Sequence, residues 1–158
     1  MKHVFVASVL LALAAALPAR AQTGMPPAGG AEWQTSLPVA LQQAQASQRP
    51  VLAVFSGSDW CKPCMMLKQE VFDQPAFARF AEGRLVLARF DFPRNKKNRL
   101  PDAQTKLNEQ AAAQLNPAGE FPLVVLLSPA GKVLARSNYR PGGPAAFEQY
   151  FRPYLAKP

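Results

Sequence analysis

The sequence holds a single histidine, His3, and only two cysteines, Cys61 and Cys64. This scarcity excludes several site types. A zinc site needs about four ligands, and past residue 3 no histidine remains to complete one. A c-type haem attachment needs a histidine directly after the second cysteine of a pair, and Met65 stands there. A disulfide-stapled scaffold carries several distant pairs. One pair three positions apart closes a ring worth only about 2 kcal/mol of loop entropy before strain. Acids are also few, 10 Asp and Glu against 18 Lys and Arg, for a formal charge of +8. That balance fits docking onto acidic partners or a membrane surface, and no nucleic-acid motif accompanies it. The sequence has no internal repeat and no second long apolar run.

The one long apolar run is Val4 to Leu17, preceded by Lys2 and followed by Pro18-Ala19-Arg20-Ala21. It is short of the roughly 20 residues a spanning helix needs. With small residues at 19 and 21 it reads as a secretory signal peptide, residues 1–21, cleaved after Ala21. An uncleaved anchor is the alternative, and it exports the domain equally. Gln22 to Ala31 is rich in Gly and Pro and reads as a flexible leader. Residues 32–158 are then one domain with one core, expected to be soluble and monomeric.

Within that domain the apolar runs set the elements. Val51 to Phe55, Leu85 to Phe92 and Leu123 to Leu127 are continuous and β-rich, the pattern of strands buried on both faces. Helices are expected over Pro38–Ser47 with Ser36 as cap, after Cys61, over Pro75–Ala81, over Asp102–Leu115 and over Ala145–Leu155. The first is expected to bury Val39, Leu41, Ala44 and Ala46. The fourth is expected to bury Ala103, Leu107, Ala111 and Leu115. Pro129-Ala130-Gly131-Lys132 reads as a hairpin turn into Val133–Ser137. The order is βαβ, a helix, a hairpin and a last helix. This is an α/β class with a central sheet flanked by helices.

Chemistry concentrates in Cys61-Lys62-Pro63-Cys64. At the mouth of a helix, unpaired backbone N–H groups and the helix dipole favour negative charge. The Cys61 thiol is expected to titrate below the free value of about 8.5 and to supply a thiolate. Cys64, nearly one turn on, can attack a mixed disulfide formed at Cys61 and release the partner. Cys61 is expected to be exposed and Cys64 shielded. Pro63 has its φ preset for the first turn, and Lys62 adds a positive charge beside the nucleophile. An inert pair or half a metal site are the competing readings. Met65 and Met66 beside the thiols raise Cu(I), but as helix-face residues they are expected to fill gaps. Asp59 and Glu70 are the nearest acids, expected to be a turn residue and a solvated helix residue. Arg94, Lys96, Lys97 and Arg99 form the one basic run, read as a solvated loop, with docking of acidic partners as the alternative.

Val51-Leu52-Ala53-Val54-Phe55 followed by Ser56-Gly57-Ser58-Asp59-Trp60-Cys61-Lys62-Pro63-Cys64 resembles the thioredoxin superfamily. It is most similar to secreted bacterial thioredoxin-like proteins with a Gly-Ser-Asp-Trp-Cys stretch. Asp91-Phe92-Pro93-Arg94, Phe121-Pro122 and Pro129 to Leu134 follow in that family's order, and the resemblance covers about Trp33 to Leu155. It implies a thioredoxin fold, a central mixed β-sheet with helices on both faces. It also implies dithiol–disulfide exchange, with Cys61 attacking, Cys64 resolving and Trp60 as the flanking aromatic. Pro122 matches the family's cis-proline, which faces the cysteine pair and frees backbone groups of Phe121 for an extended substrate. Two departures stand out. Thioredoxins proper carry a buried Asp in the strand before the motif, and Val51–Phe55 offers none. Leu123 stands where many members have Thr. Proton transfer to Cys64 must then use water or another group.

The function expected is periplasmic thiol–disulfide exchange with protein clients, recharged by a membrane or periplasmic redox partner. No metal, no organic cofactor and no nucleic acid are implied. The rival is a redox-inert or Cu(I)-binding interaction module on the same fold.

Overall fold

Each of the three apolar runs forms a strand buried on both faces, except at Arg89 of the second, which is exposed. The computed structural model describes residues 32–155; the signal-peptide and leader assignments lie outside the described residues. Strand β2 spans Val51–Ser56, β3 Val86–Asp91 and β4 Leu123–Leu127. They are joined at the edges by β1, Trp33–Gln34, and β5, Val133–Ser137. The order is β1-β3-β2-β4-β5. β1 and β2 run parallel to β3, and β4 runs antiparallel to both β2 and β5. This is the mixed sheet of a thioredoxin fold. β1 was not foreseen, since two residues carry no period to read.

Alternation across the strands splits the core in two. Val51, Ala53 and Phe55 face helices α1 (Leu37–Ser47) and α4 (Asp102–Leu115) through Leu37, Ala40, Ala44, Ala111 and Leu115. Leu52 and Val54 face the other side. There they meet α2 (Lys62–Leu67) and the π-helical turn Lys68–Phe72 that continues it, α3 (Pro75–Ala81) and α5 (Gly143–Leu155). Phe77, Phe147 and Phe151 form the aromatic centre of this second layer, with ring centroids 4.8 to 5.7 Å apart in sequence along the contact.

Two helix faces differ from expectation. In α1 the buried residues are Leu37, Ala40 and Ala44, while Val39 is 41% exposed. Ser36 occupies the cap position but makes no side-chain cap bond. The helix starts one residue earlier than its proline suggests, at Leu37, which is itself buried. In α4 the inward face carries Asn108, Ala111 and Leu115, and Ala103 is exposed. Asn108 is only 2% exposed because its amide has partners. Its Nδ2 donates to the Asp91 carbonyl at 2.7 Å, and its Oδ1 accepts from Gln104 Nε2 at 2.7 Å. A polar residue on the inward stripe breaks the apolar period that sequence reading relies on. The amide ties α4 to the end of β3, beside the site.

Candidate active site

β2 ends at Ser56, and the chain turns through Gly57 to Trp60 before α2 begins. Cys61 is the N-cap of α2, its N–H donating to the Gly57 carbonyl at 3.0 Å. Its Sγ accepts from the Cys64 N–H at 3.2 Å, the capping bond that a Ser or Asp oxygen would otherwise take. Cys61 and Cys64 are joined as a disulfide, their Cα atoms 5.2 Å apart. Lys62 and Pro63 form the exposed first turn, with Pro63 where no N–H partner is required. The expected contrast in exposure is absent. Cys61 is 4% and Cys64 3% exposed. The bond holds the Cys61 sulfur against a residue on the inward face of α2, so both are covered in this oxidation state.

Trp60 lies over the loop at the end of β3. Its Nε1–H donates to the Phe92 carbonyl at 2.7 Å. Phe121 meets it edge-on at 5.4 Å, and the Arg94 guanidinium stacks 3.7 Å from its ring centroid. Room for the indole depends on Gly57, where a Cβ would fall 2.3 Å from Trp60 Cε2. The Phe121-Pro122 peptide is cis. Pro122 is buried and lines, together with Cys64, a cavity of about 280 Å³ between α2 and the sheet. Asn116 positions the preceding residue. Its Nδ2 donates to the Glu120 carbonyl at 2.8 Å and its Oδ1 accepts the Glu120 N–H at 2.9 Å.

A Thioredoxin-like family model matches residues 32–129. The disulfide bond reductase DsbH of Chlamydia pneumoniae is 34% identical over 120 residues, 76% of this chain and 70% of its own. The chain belongs to the thioredoxin-like family. A solved DsbH oxidoreductase superposes with a TM-score of 0.72 at 31% identity, over 87% of this chain and 93% of that one. A thioredoxin from Thermus thermophilus, 23% identical, shares the fold with a TM-score of 0.61 over 82% of this chain and 90% of its own. With the cysteine pair set in this fold and these relatives, the protein is a thiol–disulfide oxidoreductase of a disulfide-handling system.

Within this thioredoxin-like site, Val54 of β2 faces the cavity and brings no carboxylate. Two carboxylates line the cavity: Asp73, paired with Lys68, and Asp91 from the neighbouring strand. Asp91, paired in register with Ser56, accepts from the Ser58 N–H at 2.9 Å and from the Ser58 hydroxyl at 2.6 Å. It lines the same cavity as Cys64. In the sequence Asp91 stands out only as part of the Asp91-Phe92-Pro93-Arg94 stretch. Its place opposite Ser56 needs the β2–β3 register, which sequence does not display.

Asp59 is a turn residue, as expected, but it does more than turn. Its Oδ1 accepts the Arg94 N–H at 2.9 Å, and its Oδ2 accepts the Asn95 N–H at 2.9 Å and Asn98 Nδ2 at 3.0 Å. The Arg94 N–H, the largest influence, holds its carboxyl below the ordinary value, with Asn98 and Asn95 adding to it against partial desolvation. The basic run is thereby fixed to the cysteine loop. Glu70 is not simply solvated. It accepts from the Tyr139 hydroxyl at 2.8 Å, and that bond, with the carboxylate's charge, pushes the Tyr139 phenol up. Glu70 thus belongs to the seam between the π-helical turn and the segment before α5. Met65 is 42% exposed and lines the cavity beside Cys64. Among the described residues no three His, Cys, Asp or Glu side chains gather where they could hold a metal ion.

Proposed function

We propose that this oxidoreductase reduces disulfides of exported protein clients, with Cys61 as the attacking and Cys64 as the resolving thiol. The observation that carries the reading is Cys61 at the N-cap of α2, its sulfur accepting the Cys64 N–H. A thiolate there gains a hydrogen bond and the helix N-terminus, and both favour the anion.

In the working direction, the Cys61 thiolate attacks one client sulfur. A Cys61–client bond forms as the client disulfide breaks, and the released client thiolate takes a proton from water. Cys64, deprotonated, then attacks Cys61 Sγ. The mixed disulfide breaks, the second client thiol leaves, and the Cys61–Cys64 disulfide forms. The client gains two electrons, and the protein is reset by an external dithiol, a membrane or periplasmic redox partner. Trp60 and the Phe121-Pro122 segment shape the client side, with the Phe121 backbone pairing to an extended client strand. The Cys64 proton leaves through the cavity, where Asp91 is the one sheet carboxylate among the described residues. The reductase direction is supported by the 34% identity to a protein named for that activity.

Turnover of insulin with dithiothreitol tests the reading. Reduction lost in Cys61→Ser is expected, and wild-type turnover no faster than dithiothreitol alone would overturn it. Export is tested by cell fractionation and N-terminal sequencing, with Gln22 expected as the first residue of the exported form.

A further inference from the structure

The basic run Arg94 to Arg99 sits beside the disulfide and is not a loose solvated loop. Asp59, two residues before Cys61, holds it through the Arg94 and Asn95 N–H groups and the Asn98 amide. A 3₁₀ turn at Lys96–Asn98, capped by Asn95 Oδ1 on the Lys97 N–H, fixes its shape. Arg94 is stacked on the indole that flanks Cys61.

The charges on this ledge are unpaired. Among the described residues the ion pairs are Lys68–Asp73 and Arg152–Glu148, and neither touches it. Lys62, Arg94, Lys96, Lys97 and Arg99 are all exposed. The carboxylate nearest the run, Asp59, spends its oxygens on N–H groups, so it lowers the local charge without pairing any of the five cations. Asp91 is likewise committed to Ser58. Next to Phe121, on the other side of the indole, Glu120 is an exposed acid.

From this we infer that the Arg94–Arg99 ledge, with Lys62, selects clients whose target cysteine is flanked by acidic residues. The inference rests on the reductase reading and adds its substrate class. A client must bring its sulfur to Cys61, so its flanking residues pass within a few ångströms of Trp60 and of the ledge pinned to Asp59. Cationic side chains held there without partners raise the local concentration of an acidic chain and its encounter rate. A protein segment is the occupant because the charges surround the reactive sulfur, which a client must reach and a lipid headgroup need not.

Two synthetic peptides carrying the same intramolecular disulfide, one flanked by Glu and the other by Lys, separate the possibilities. Pre-reduced protein should reduce the Glu peptide about tenfold faster at low salt, with the ratio collapsing at several hundred millimolar NaCl. In Lys96→Glu/Lys97→Glu/Arg99→Glu the preference should disappear or invert, and circular dichroism reports whether that variant is folded. The wild-type ratio stands as a test whether or not it is. Hydroxyethyl disulfide, neutral and small, reports the cysteine centre itself. Equal peptide rates with normal hydroxyethyl disulfide turnover overturn the inference and leave the reductase reading intact. Loss of hydroxyethyl disulfide turnover in the wild type overturns the reading, and the inference falls with it. Ledge-dependent binding to vesicles of anionic phospholipid, with no peptide preference, would assign the charges to a membrane and overturn the client inference.

Discussion

Gly57→Ala isolates the seat of the indole. No positive φ is imposed at Gly57, so alanine can adopt the backbone there. The obstacle is steric: the new Cβ would lie 2.3 Å from Trp60 Cε2 and 2.6 Å from Cζ2 and Nε1. A ring atom cannot yield as a flexible chain end would, so the indole must leave its seat. Leaving costs its contacts together. The Nε1–H bond to Phe92 is worth about 1 kcal/mol net. The edge contact with Phe121 is worth about 0.5–1.5 kcal/mol, and the Arg94 stack about 0.5–1 kcal/mol. The loss expected is about 2–3.5 kcal/mol, reduced where the displaced ring finds partial replacements.

Urea unfolding of the oxidised protein measures it, and tryptophan emission, which only Trp33 and Trp60 supply, reports the displacement. The decisive comparison is the double variant. If the cost is the clash, Gly57→Ala should be nearly free once Trp60→Ala has removed the ring. A single variant within about 0.5 kcal/mol of wild type, the ordinary range for neutral surface changes, would refute the reasoning. So would an equal loss in the Trp60→Ala background, because the cost would then lie in the backbone.

Three further outcomes follow from the same geometry. Cys64→Ser should accumulate mixed disulfides with clients on non-reducing gels, because nothing resolves them, and Cys61→Ser should accumulate almost none; equal trapping would reverse the assigned roles. Lys62→Glu should move the pH midpoint of Cys61 alkylation upward by a modest amount that shrinks with salt, since Lys62 is exposed; an unchanged or lower midpoint would remove Lys62 from thiolate stabilisation. Folding favours the ionised form of Asp59, so its contribution is complete above pH of about 4 and is lost as pH falls toward the depressed folded value. The stability gap between wild type and Asp59→Asn should therefore be widest at neutral pH and close on acidification, and a gap constant from pH 7 to 2.5 in urea titrations would contradict the Asp59 clamp.

What the sequence made legible was whatever repeats locally. Continuous apolar runs marked the three central strands, and α3, α4, β4 and β5 match their expected bounds residue for residue. The cysteine pair was legible because three-residue spacing and a helix start are both local. The misses share a cause. β1 is too short to show a period and exists because Trp33 and Gln34 pair with Leu87 and Ala88 of β3. Asn108 is buried by a partner 17 residues away, and nothing in an amide's neighbours announces a carbonyl on another element. Glu70 and Tyr139 are 69 residues apart. The matching burial of the two cysteines comes from how the loop folds against the sheet, which their spacing does not display.

The missing carboxylate of β2 gains meaning from that register. Val54, on the cavity face, pairs with Arg89, and Ser56 pairs with Asp91. The acid of this site therefore stands one strand over and at the strand end, instead of beneath the motif. There it can accept two bonds from Ser58, which a carboxylate buried under Val54 could not reach, and it also faces the cavity of Cys64. A buried carboxylate without such donors is costly. Asp91 thus binds the loop that presents Cys61 while lining the cavity of Cys64. One side chain therefore touches both the loop and the cavity. Asp91→Asn keeps the shape, and it can still accept from the Ser58 N–H. If Asp91 serves the proton, this variant should slow resolution of a Cys61 mixed disulfide and change its pH profile while leaving the first attack nearly untouched. If Asp91 only holds the loop, both steps should slow together with no change in profile, and its assignment to the Cys64 proton would be withdrawn.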